Sequence, residues 1–239
     1  METKAKIIKP ENEDEGKKDF TQKLSEFISK KKVLVLSITG ALVGILLIVG
    51  LYTIIANSTA ENSSRAMEEV RNKIATWNNE SEEAKKTEIE TGIMADIDTV
   101  TKKWPKSFAA QQALFTKSSL YAVKKDWANA ETASLEAANK LPKTYLAPLA
   151  LESAAVAAEE QGKADVALEY YNKIIAQYKE DTPNLAHAYF SVARLGEAKS
   201  EWKAALESYN KILSDFPNTD WAKLAKDRVI YLKAQGYDK

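Results

Sequence analysis

The order of apolar and polar positions divides the chain into stretches of three kinds. Residues 33–56, VLVLSITGALVGILLIVGLYTIIA, are 24 positions without an Asp, Glu, Lys, Arg or His. At about 1.5 Å per residue a helix of that length covers roughly 36 Å, against a hydrocarbon core of about 30 Å. The run is apolar around its whole circumference, whereas a core helix of a soluble domain normally keeps a polar stripe. A membrane-spanning helix is therefore predicted. A cleaved signal has an apolar region of about 7–15 residues behind a short basic start. Here the run is longer and follows 32 mostly polar residues, which predicts an uncleaved anchor.

Ahead of the span, Phe20, Leu24, Phe27 and Ile28 recur at i, i+4, i+7 and i+8, the period of a short amphipathic helix. Such a helix suits either an interfacial lead-in with lysines among lipid headgroups or a docking helix for a partner. The acidic run from Pro10 to Gly16 has nothing to bury and predicts an unstructured segment. Behind the span, 57–64 reads as a short polar joint. Met67, Val70, Ile74 and Trp77, then Ile89, Ile93, Ile97, Val100 and Trp104, mark two helices of a hairpin closed by Pro105.

From there the pattern repeats. Hydroxyl residues able to cap a helix stand at Ser107, Thr144, Thr182 and Thr219. Pro105, Pro142 and Pro217 each precede such a residue by two positions, and Pro183 sits where a first helical turn accepts proline. Lys125–Ala130, Gly162–Ala167 and Ser200–Ala205 each open a second helix in step with the first. Trp221, Leu224, Ala225, Val229 and Leu232 mark one more amphipathic helix, stopped by Gly236.

The stretch SEWKAALESYNKILSDFPN, 200–218, resembles the second half of a tetratricopeptide (TPR) repeat, with Ala205, Tyr209, Ile212 and Pro217 at its marked positions. Residues 162–179 repeat it with Ala167, Tyr171 and Ile174, although Lys179 replaces the proline. Residues 125–142 give Ala130, Ser134, Ala137 and Pro142, without the aromatic. The fold class predicted is all-α: an N-terminal transmembrane helix followed by an α-solenoid of helical hairpins. Its expected layout is a cytoplasmic tail over 1–32, the span over 33–56, a linker and degenerate first hairpin over 57–104, three repeats over 105–218 and a capping helix over 219–239. Small residues at Ala130, Ala167 and Ala205 let helix backbones approach, while Tyr171, Tyr209, Trp127 and Trp202 fill the wider gaps.

Composition narrows the chemistry. Only 8 glycines and no cysteine occur, so Gly-rich phosphate loops, disulfides, thiolate metal sites and cysteine nucleophiles are excluded. Basic and acidic residues balance at 34 each, which gives no excess positive field for nucleic acid. His187 is the one histidine, with no second imidazole to complete a metal shell. No catalytic residue, metal or cofactor is predicted. Lys17, Lys18, Lys23, Lys30, Lys31 and Lys32 precede the span, whereas Arg65, Arg71 and Lys73 follow it, so the N-terminus is expected to face the cytoplasm and residues 57–239 the far side.

A repeat array offers the first helix of each unit as an extended concave face. The register projects Phe115, Ser119 and Ala122, then Glu152, Val156 and Glu159, then His187, Phe190, Arg194 and Glu197 onto it. That mixed surface lacks the Lys and Asn cluster with which some tetratricopeptide domains grip a peptide carboxylate. In layout, residues 17–239 resemble the YfgM-like family of ancillary translocon subunits. The resemblance implies a single-pass protein of the bacterial inner membrane with periplasmic repeats, meeting export-channel subunits, exported polypeptides or chaperones. A scaffold of another envelope complex, such as outer-membrane assembly or a motor, is the alternative.

Overall fold

The computed structural model of the protein describes residues 13–178 and 182–237, which contain ten helices and no strand. Residues 1–12, including the start of the acidic run, and Lys179 lie outside the described residues. Two units are formed, Met1–Asn57 and Ser58–Lys239.

The first unit holds α1 (Glu13–Lys30) and the start of α2 (Lys32–Asn79). Glu13–Gly16, expected to be unstructured, form the first turn of α1. Lys31 stands between the two helices as a turn residue. The apolar stretch of α2 is open, with Leu46 70% and Ile48 69% exposed, and α2 is long and apolar enough to cross a membrane.

The polar stretch 57–64, read from sequence as a joint, is helical, because α2 continues to Asn79. Its polar side chains find partners along the helix itself. Arg65 pairs with Glu61 at 2.9 Å, and the Ser63 hydroxyl donates to the Ala60 carbonyl at 3.1 Å.

In the second unit, α3 (Glu83–Lys103) joins Met67, Val70 and Trp77 of α2 in a core with Ile93, Ile97 and Val100, to which α4 adds Ala109, Ala113 and Leu120. Three hairpins follow: α4 (Phe108–Val123) with α5 (Trp127–Lys140), α6 (Leu146–Glu160) with α7 (Ala164–Gln177), and α8 (Leu185–Ala198) with α9 (Trp202–Asp215). The last helix, α10 (Asp220–Ala234), covers α8 and α9. From α3 onward each helix packs on its chain neighbours, and α4 also touches α6 and α8 touches α10, which is the contact pattern of a stacked array. Ala130, Ala167, Ala205, Tyr171 and Tyr209 are all buried at these seams, while Pro142 and Pro217 lie exposed just past the ends of α5 and α9.

The turn inside each hairpin follows one design. Lys125, Gly162 and Ser200 occupy equivalent places with φ of 57°, 74° and 61°. In each, the next amide reaches back to the first helix: Asp126 N–H donates to the Tyr121 carbonyl, Lys163 to Ala158 and Glu201 to Gly196, all at 2.9 Å. Left-handed backbone at this point closes the helix carbonyls and turns the chain.

The four expected caps divide evenly. Ser107 and Thr219 accept the amides of Ala110 and Ala222 at 3.1 and 3.2 Å. Thr144 does not cap α6; its hydroxyl donates to the Gln111 Oε1 at 2.7 Å, while the Gln111 amide donates to the Ala137 and Leu141 carbonyls at 2.9 and 3.1 Å. Gln111 is fully buried between hairpins, so its oxygen needs a donor more than an exposed helix end needs a cap. Thr182 is displaced too: α8 starts at Leu185 with Asn184 at its N-cap position, and the Asn184 amide donates to the Pro148 carbonyl of the preceding hairpin at 3.1 Å.

Candidate functional site

The projected face is built by α4, α6 and α8, and its charges are engaged with one another. Near the C-terminal end of α6, Glu159 accepts from the Tyr171 hydroxyl at 2.9 Å and from Arg194 at 2.8 and 2.7 Å. One hairpin later the arrangement recurs: Glu197 accepts from the Tyr209 hydroxyl at 2.5 Å and from Arg228 Nε at 3.0 Å, with a second bond to the same guanidinium. A glutamate ends a first helix, a tyrosine 12 residues on belongs to its own second helix, and an arginine comes from the next first helix. In the first hairpin Ala122 and Ser134 hold the corresponding positions, and the Ser134 hydroxyl instead lies 2.5 Å from that of Ser118.

These contacts shift the ionisations in the expected sense. Burial pushes the Tyr171 and Tyr209 phenols up, and the adjacent carboxylates add to it. Burial alone would raise the Glu197 carboxyl, but hydrogen bonds from Arg228 and Tyr209 outweigh it and hold the group below the usual carboxylate value.

Glu152, His187 and Ser191 form a line that invites a catalytic reading. Glu152 Oε1 meets His187 Nδ1, and His187 Nε2 lies 3.3 Å from the Ser191 hydroxyl. Chemistry does not follow. Ser191 is 0% exposed and sits inside α8, where neighbouring amides are spent on the helix and none is free to hold an oxyanion. His187 is also stacked on Trp221, ring centroids 4.4 Å apart, with Tyr171 edge-on at 6.0 Å. The group joins α6, α8 and α10 as a packing cluster. Among the described residues no group of three or more His, Asp or Glu is placed to hold a metal ion.

The other projected residues are placed as follows. Phe115 is half-buried against the central core, and Ser119 is exposed with its hydroxyl on the Phe115 carbonyl at 3.1 Å. Ala122 is half-buried, and Val156 is exposed. Phe190 packs against Tyr209 and Trp221 at 5.4 and 5.2 Å. Exposed Leu224 and half-buried Trp221 of α10, assigned from sequence to the cap, extend the same surface. The open apolar positions of this face are Val156, Leu224 and the rim of Trp221, beside exposed Ser119 and Arg194.

Sequence reasoning missed Glu131. Buried on α5, it accepts from Gln161 at 2.8 Å, Lys163 at 3.2 Å and the Tyr170 hydroxyl at 2.9 Å, which ties the first hairpin to the second. Burial would raise its carboxyl, yet these three donors hold it below the ordinary value, and burial beside it pushes Tyr170 up to about 12. The available signal was a glutamate directly beside the small residue Ala130, at a seam rather than on an open face.

No family model matches the chain. It is 28% identical over 148 residues to a TPR repeat-containing protein of Treponema pallidum (strain Nichols), covering 62% of this chain. The chain spans about three fifths of that relative's length, 61%. With three stacked hairpins, recurrent seam residues and this likeness, the second unit is an α-solenoid of the tetratricopeptide type.

Proposed function

We propose that the protein is a membrane-anchored, non-catalytic interaction module of a bacterial envelope. The span formed by Val33–Ala56 holds it in the inner membrane with the N-terminus in the cytoplasm, and the repeats stand in the periplasm. The observation that carries this reading is the coexistence of an open apolar stretch long enough to cross a membrane with an array in which Glu159 and Glu197 of the projected face are engaged by the array's own tyrosines and arginines. A bilayer would cover the apolar stretch of the first unit, and the second offers surface while Ser191, beside His187, is buried. The relative, a bacterial protein named for its repeats, supports a protein-binding role.

In its finer form the proposal makes the protein an ancillary subunit of the export machinery that meets emerging polypeptides or periplasmic chaperones. Open Val156, Trp221 and Leu224 suit apolar segments that a folded partner would have buried. Exposed Val123 and Tyr145, each 64% accessible, favour the second reading, a scaffold packed onto neighbours in another envelope complex. Photocrosslinking from residue 156 and from residue 123 in intact membranes separates them. Export-channel subunits or nascent chains captured from 156 support the first reading; a single stable adduct from 123, with none from 156, replaces it by the second.

A further inference from the structure

We propose that α1 is an in-plane anchor that docks on an anionic lipid surface, a binding element separate from the span and from the repeats. The inference rests on the reading of 33–56 as membrane-spanning. Phe20, Leu24, Phe27 and Ile28 are 66%, 45%, 53% and 42% exposed, so the helix presents its apolar stripe uncovered. At 3.6 residues per turn these four fall within an arc of roughly 100°. Lys23 and Lys30 border that arc on one side, Lys31 and Lys32 follow at the joint, and Gln22, Ser29 and Glu26 occupy the opposite face. Lysines flanking an apolar arc can lower their stems beside it and leave their ammonium groups at phosphate level.

Charge selects the surface. Over its whole length α1 carries four lysines and five acids, but its acids gather at the start; beside the apolar stripe and the joint, between residues 20 and 32, stand four lysines and one acid, Glu26. The 3.5 Å pair of Glu26 with Lys30 is open to water, both side chains being more than two thirds exposed, and such a pair leaves the lysine available to a phosphate. The helix is interrupted at the joint. Lys31 separates α1 from α2: its N–H makes the last bond of α1, to the Phe27 carbonyl at 2.9 Å, and its carbonyl takes the first bond of α2, from Val35 N–H at 3.0 Å. Because the apolar stripe ends within a few residues of the first apolar residue of the span, lipid is the nearest surface able to cover it.

The natural absence of cysteine allows a direct test on the full-length chain. Single-cysteine variants Phe27→Cys and Ser29→Cys are spin-labelled and reconstituted into vesicles of phosphatidylcholine alone or mixed with phosphatidylglycerol. Accessibility to oxygen and to a water-soluble nickel chelate gives label depth. In the anionic vesicles residue 27 is expected about 5–10 Å below the headgroups and residue 29 in water. Residue 27 should rise toward water in phosphatidylcholine, in high salt, and with Lys23→Gln, Lys30→Gln and Lys32→Gln combined. A label at 27 that is as wet as that at 29 in anionic vesicles overturns the proposal, as does one shielded from both reagents, which marks a protein partner. Equal depth in both lipids overturns the charge selection. Resistance to alkaline carbonate extraction is scored on the same samples: retained protein with a wet α1 defeats only this inference, whereas released protein defeats the spanning reading on which it rests.

Discussion

The three hairpin turns supply a paired test with opposite signs. Gly162 and Ser200 hold the same place in successive repeats, at φ of 74° and 61°. A Cβ built on Gly162 meets nothing within 4 Å, so the cost of Gly162→Ala is purely torsional. Left-handed backbone costs a non-glycine residue roughly 1–2 kcal/mol, and the lower chain entropy of unfolded alanine returns about 0.4–1 kcal/mol. A net loss of about 0.5–1 kcal/mol is expected. Ser200→Gly reverses both terms and should stabilise by a similar amount. For a unit of this size about 1 kcal/mol moves the melting midpoint by roughly 2–4 °C. The assay is thermal loss of helical ellipticity of the full chain in detergent micelles, with Gly162→Ala melting below and Ser200→Gly above the parent. A Gly162→Ala protein as stable as the parent, or a destabilised Ser200→Gly, refutes the assignment of strain to these turns.

Further outcomes follow from the seams. Tyr171→Phe keeps the ring and the Glu159–Arg194 pair but removes a buried hydroxyl donor, and should cost about 1–2 kcal/mol in the same melting assay. Ala205→Leu forces a larger side chain between α8 and α9, where Gly196 lies against it, and should cost about 1–3 kcal/mol. Glu131 and Glu197 have folded pKa values below the unfolded ~4.3, so their contribution is complete above about that pH and is lost as pH falls through the depressed values. Acid titration of stability should therefore show a limb that Glu131→Gln and Glu197→Gln flatten. A fluorophosphonate probe should leave Ser191 unlabelled; labelling abolished by Ser191→Ala would reinstate catalysis.

Legibility in the sequence followed the range of the interaction. The hairpins were readable because apolar spacing and seam residues such as Ala167, Tyr171, Ala205 and Tyr209 are fixed by helix geometry and by contact between neighbours. Caps were readable where no distant group competed, at Ser107 and Thr219. Thr144 was misread because buried Gln111, more than 30 residues earlier, claims its hydroxyl. The joint at 57–64 was misread because polar composition alone does not break a helix whose side chains bond along it. Register projected Glu159, Arg194 and Glu197 onto one face, but not the pairing of Glu159 with Arg194 or of Glu197 with Arg228, which depends on how far one hairpin is rotated on the next.

The sequence by itself determined the apolar rod at 33–56, the all-helical class and the stacked-hairpin order, since each is written in periods of a few residues and in lengths set by helix rise. Only the tertiary structure decided that Glu159 is bound to Arg194 and Glu197 to Arg228, that His187 is stacked on Trp221, and that Val156, Leu224 and the rim of Trp221 are the open apolar positions. Those outcomes turn on distances between side chains 30 or more residues apart, which no local pattern encodes.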